Sequence, residues 1–189
     1  MQQRHMLVAG LLAMAAGGAD AAVSIVAGGM ARECFLAAEL KRDYRTSVDI
    51  CDRALEEGNL SRRDRAATMV NRGILFMHAR ALDRAISDYR VAIRLQPKIA
   101  ESHVNLGIAL LQRGGQDRLA IAALTQGLEL GPSRPEIAYY TRAVAHEIAG
   151  NAREAYEDYI AAAAARPDWD EPVEQLKRFT VERRKTGSG

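Results

Sequence analysis

"DYRVAIRLQP" at 88–97 writes Asp-Tyr, a run of helical periodicity and a closing Pro within ten residues. The same figure returns as "DYIAAAAARP" at 158–167, and "ALTQGLELGP" stands between them at 123–132. The Pro falls at 97, 132 and 167, a constant spacing of 35. A period of that length decides the fold first, because each repeat is one supersecondary unit that buries its apolar face on the next.

Working outward from the three Pro residues gives units at 66–99, 100–134 and 136–169. Each holds two helical stretches with a short break. The middle unit has one extra residue in "RGGQD" at 113–117, and Pro135 reads as a spacer between units. In the first unit Gly73, Ala85, Tyr89, Ala92 and Pro97 hold fixed places. The second unit has Gly107, Ala120, Leu124, Gly127 and Pro132 there, and the third Ala143, Ala155, Tyr159, Ala162 and Pro167. Two antiparallel helices approach closely only where the touching residues are small, a large residue fills the space between, and Pro ends the second helix.

This pattern resembles the tetratricopeptide repeat (TPR) family over 66–169. "VNRG" at 70–73 and "VNLG" at 104–107 match the family's core of the first helix, while "YTRA" at 140–143 keeps only the steric logic. The resemblance implies an all-α protein, a right-handed superhelix of stacked antiparallel helix hairpins, with a protein-binding and non-catalytic role. In that family the first helices line a concave groove. Carried over, its lining is Val70, Ile74 and Met77, then Val104, Ile108 and Leu111, then Tyr140 and Val144, edged by Glu101 and Glu147. The Lys and Asn with which some relatives clamp a C-terminal carboxylate are missing from these places. An exposed apolar face of this size marks an interaction site, unless the chain fills it with its own "AVSIV" at 22–26. On the binding reading, Val104→Glu or Ile108→Lys abolishes partner capture with the fold intact.

Residues 22–61 hold an N-terminal segment and a degenerate first hairpin, in which Asp43-Tyr44 matches the turn and Ala54 a small place of the second helix. Ser61, with Asp64 three residues on, predicts a capping box. After Trp169, "DEPVEQLKRFTVERR" predicts a capping helix over 170–184, with Asp170 as N-cap, Pro172 in its first turn, and Val173, Leu176 and Phe179 on one face. The tail 185–189 is expected to be disordered.

Residues 1–21 read as a signal peptide: Arg4 and His5, an apolar run from Met6 to Ala16, then Ala19-Asp20-Ala21 as a cleavage site. The expected location is therefore the periplasm or the exterior. The competing reading is an uncleaved anchor, which places Asp20 near the bilayer centre; only then does a membrane enter as partner. The whole chain, with 189 residues, 48% hydrophobic and 26% charged, has the composition of a soluble folding protein. A net charge of +2 gives no reason to expect nucleic acid. The expected partner is another protein or peptide segment, with self-association into a homo-oligomer as the alternative.

In the repeat frame Cys34 and Cys51 occupy facing places, equivalent to Arg72/Tyr89 and Arg142/Tyr159. They are either two packed thiols or, in an exported chain, a disulfide across the weakest hairpin. His78, His103 and His146 form no metal motif; His103 and His146 fall at core-facing places. No residue pattern argues for catalysis, a cofactor or a metal. Arg72 and Arg142 occur only in units that also carry Asp88 and Asp158; the middle unit has Leu106 and Ala123 instead. Arg72–Asp88 and Arg142–Asp158 ion pairs across the hairpins are expected, with each Arg stem lying on the neighbouring Tyr.

Overall fold

The computed structural model describes residues 21–25, 28–57 and 59–179. Most of the signal-peptide reading, Val26, residues 180–184 of the cap and the tail lie outside the described residues. Among these residues there are nine helices and no strand. Helices α1 (Met30–Glu39) and α2 (Tyr44–Glu57) form the first hairpin, and α3 (Arg62–His78) with α4 (Leu82–Leu95) the second. Then come α5 (Ala100–Arg113) with α6 (Asp117–Glu129), α7 (Pro135–Ala149) with α8 (Ala152–Ala165), and the short α9 (Asp170–Leu176). Each helix packs on the next, and the first helices also touch one another in series: α1 on α3, α3 on α5, α5 on α7. That second set of contacts puts the first helices along one side of the stack.

Local chemistry sets the helix ends. The Ser61 hydroxyl oxygen accepts the Asp64 backbone N–H at 3.0 Å and its own proton goes to the Asp64 carboxylate at 2.7 Å. One of the orphan donors of α3 is satisfied in this way. Gln96 and Arg166 leave their helices with almost the same extended geometry, φ −141°, ψ 86° and φ −143°, ψ 86°. Each precedes a Pro, whose ring bars the helical conformation one residue earlier. Pro135 is not a spacer: it is the first residue of α7, where its missing N–H costs nothing. At the C-terminus Trp169, not Asp170, is the cap. Helix α9 ends at Leu176, so residues 177–179 do not continue the expected long helix. As a result Val173 points to solvent, while Pro172 is buried and Phe179 packs on Tyr156 and Tyr159.

The small residues let the hairpins close. A Cβ on Gly73 would lie 2.5 Å from the Tyr89 ring, and one on Gly107 2.5 Å from Leu124. Ala85, Ala92, Ala120, Ala155 and Ala162 are fully buried beside them. The hairpin turns need one left-handed residue. The last hairpin supplies Gly150, φ 82°, and the middle one absorbs its extra residue with Gly114 and Gly115. The second hairpin uses Arg80 at φ 60°, which the Cβ makes costly by about 1 kcal/mol. Arg80→Gly is therefore expected to stabilise the fold. After the added freedom of the unfolded chain is subtracted, the gain is about 0.5 kcal/mol. Denaturant midpoints of the two proteins check this.

A concave face occupied by the chain itself

Asn71 and Asn105 hold the same place on α3 and α5, and both side chains are fully buried. Asn71 accepts the Val23 backbone N–H on Oδ1 at 2.8 Å and donates Nδ2–H to the Val23 carbonyl at 2.9 Å. Both bonds fall on one residue, as when an antiparallel strand pairs with its neighbour. Asn105 donates to the Ala21 carbonyl at 3.2 Å. Residues 21–25 thus cross α5 and then α3 on their way to α1. Val23 is buried, Ser24 faces solvent, and Ala22 and Ile25 pack against the core. Part of the expected apolar face is therefore covered from within, by residues 22–25 of the segment that the sequence offered as an alternative occupant.

All eight residues read as groove lining are buried, and they do not face one way. Val104 packs into its own hairpin, with Cγ2 2.6 Å from where a Gly127 Cβ would stand. Tyr140 turns toward the C-terminal end, its ring 5.5 Å from Tyr159 and 4.8 Å from Trp169. Val70, Ile74, Met77, Ile108, Leu111 and Val144 sit in the same core as Val23. A charge at Val104 or Ile108 enters packed interior, so those substitutions cost the fold and not binding alone. The informative positions are Asn71 and Asn105. The sequence displayed them as Asn-x-Gly in two units, and they read there as packing because an Asn at one place of a helix does not reveal what its amide faces. In the third unit Thr141 replaces them, and its hydroxyl turns back to the Ile137 carbonyl at 2.8 Å.

The edge charges are engaged elsewhere. Glu101 accepts the Ser133 N–H at 3.1 Å, and Glu147 accepts the Tyr159 hydroxyl at 2.6 Å and Arg178 at 2.5 Å. Burial and then the Glu147 carboxylate push the Tyr159 phenol well above its usual range. His103 and His146 are half-buried and not in the core. His103 Nε2 lies 2.8 Å from the Pro97 carbonyl. Burial lowers the His146 pKa, against the pull of Asp158.

Away from the concave side, Cys34 and Cys51 are joined in a disulfide, with Cα atoms 4.9 Å apart. Arg72 forms a fork with Asp88, Nε–Oδ2 and Nη2–Oδ1 both at 2.8 Å, and adds Asp52 of the preceding hairpin at 2.6 Å. Arg142 repeats the fork with Asp158 at 2.8 and 2.7 Å, and takes Thr125 at 3.0 Å. The guanidinium groups lie over Phe76 and Tyr139, on their own helices.

Among solved structures, "Crystal structure of MamA" matches at a TM-score of 0.66 with 18% identity, covering 80% of this chain and 82% of that one. MamA 41-end from Desulfovibrio magneticus RS-1 matches at 0.64 and 19%, over 79% and 82%. YrrB, described as a TPR protein with an unusual peptide-binding site, matches at 0.63 and 18%, over 77% and 71%. No family model matches the sequence, and no curated protein matches it. The fold is therefore the TPR-type array of stacked helix hairpins that these structures share.

Proposed function

We propose that this protein is an exported, non-catalytic scaffold that holds a segment of another polypeptide against its concave face. One observation carries the reading: the Asn71 side-chain amide on a first helix already holds, through N–H and carbonyl together, backbone that belongs to no helix. The disulfide supports an oxidising compartment. Asn71→Ala with Asn105→Ala is the testing variant. Proteins captured from the native envelope by the parent chain, and lost with this variant at unchanged circular dichroism, support the reading. An identical captured set overturns it. Export is checked separately by intact mass, which should begin at Ala22.

A second reading is self-association. It is favoured by the occupant of the face being a piece of this same chain, which a second copy carries as well. Mass by sedimentation that rises with concentration, and no longer does so once Asn71 is replaced, would favour it.

A further inference from the structure

We propose that residues 21–25 are a tethered stand-in for the partner, which is an extended, uncharged segment with one aliphatic side chain between two backbone units, and that binding proceeds by exchange. This rests on the concave face being a polypeptide-binding site. The template is read directly: Val23 buried, Ser24 exposed, Ala22 and Ile25 partly covered, and no charged side chain from Ala21 to Ile25. The face selects on backbone, since Asn71 engages only the N–H and carbonyl of Val23.

The stand-in is an incomplete ligand. Asn71 uses both ends of its amide, whereas Asn105 spends only Nδ2, on Ala21. Its Oδ1 is buried and has no hydrogen-bond partner among the described residues. A buried acceptor without a donor is costly. A chain cut after Ala21 also loses the Ala21 carbonyl and leaves both ends of Asn105 open. An incoming segment long enough to serve both Asn residues gains what residues 21–25 cannot supply. The segment can leave, because Gly28 and Gly29 separate it from α1, Gly29 at φ 68° and both with open space where a Cβ would stand. While it stays, the tether keeps it at an effective concentration of about millimolar, and every partner competes with that.

The test uses the full chain and its Val23→Pro variant. Pro removes the N–H that Asn71 accepts, keeps an apolar ring, and lies outside every helix. The probes are the acetylated and amidated peptide Ala-Ala-Val-Ser-Ile, the same peptide with N-methyl-valine, and an amphipathic helical Leu/Lys peptide. Release of the tethered segment is expected to tighten binding of the first peptide at least about tenfold. N-methylation should weaken it about tenfold by stranding Asn71. Adding Asn71→Ala should abolish the gain. Val23→Asp, which ejects the buried side chain, serves as the second releasing variant if Val23→Pro disturbs the circular dichroism. Equal affinity of parent and released chains overturns the exchange, and so does indifference to N-methylation. Binding of the helical peptide alone overturns this inference while leaving the concave face as a binding site. Binding of no peptide by a released, folded chain overturns both.

Discussion

Arg72→Leu is expected to destabilise the protein by about 3–5 kcal/mol, the loss typical of stranding one partner of a buried pair. Asp88 is 5% exposed and receives both arms of the Arg72 fork. Burial already pushes its carboxyl up, against the opposing pull of Arg72. Burial also works against the charge on Arg72, yet hydrogen bonds and attraction from Asp88 and Asp52 outweigh it and raise its pKa. Without Arg72 the charge on Asp88 has no fork to meet it. Adding Asp88→Ala removes that charge and recreates the Leu/Ala pairing of Leu106 and Ala123, so much of the loss should return. Denaturant unfolding of the four proteins measures the coupling, and strict additivity would remove the argument. A pH series adds an independent check. In Arg72→Leu the folded state takes up a proton on Asp88 at higher pH than the unfolded chain does. The deficit should therefore shrink as the pH falls through the acid range. A deficit that stays constant with pH points to lost packing of the Arg stem instead.

The same pair shows what the sequence could and could not say. Joint presence of Arg and Asp in two units, and joint absence in one, was enough to place the forks. The remaining guanidinium contact was not legible, because it reaches across units, from Arg72 to Asp52 and from Arg142 to Thr125. Once that register is known, the middle unit explains itself. Arg90 holds the place in the second hairpin that Asp52 holds in the first, so an Arg at 106 would meet a like charge, and Leu106 avoids it. Helices and hairpins were legible because Gly73, Gly107 and the closing Pro residues carry their reasons locally. The concave face was legible only in outline. Burial at a first-helix position has three sources here: the chain's own hairpin for Val104, the C-terminal cap for Tyr140, and residues 21–25 around Asn71. Apolar periodicity cannot tell these apart, since all three select the same residue types.

Loss of the Cys34–Cys51 bond is expected to cost about 3 kcal/mol, from the closure entropy of a loop with a sequence separation of 17. The loss should also be local. The first hairpin has no Arg–Asp fork at this place; its two half-cystines stand where the later units carry Arg or Leu and a large side chain. What else holds it is small: Ala31, Ala37, Ala38 and Ala54 make up much of its buried face. Helices α5 to α8 do not touch the bond and keep their own packing. In a stacked array, stability is nearly a sum of units and their interfaces. Hydrogen exchange should therefore accelerate across residues 30–57 in Cys34→Ala/Cys51→Ala, with protection of α6 and α8 unchanged. Helix α1 also packs on α3, next to the residues that hold Val23. Loosening it frees the anchored end of residues 21–25, so exchange at the Val23 amide should speed up together with the hairpin. Uniform acceleration across all helices would mean that the chain unfolds as one unit and that the bond is not a local staple. An unchanged midpoint would mean that the native hairpin gains nothing from the crosslink.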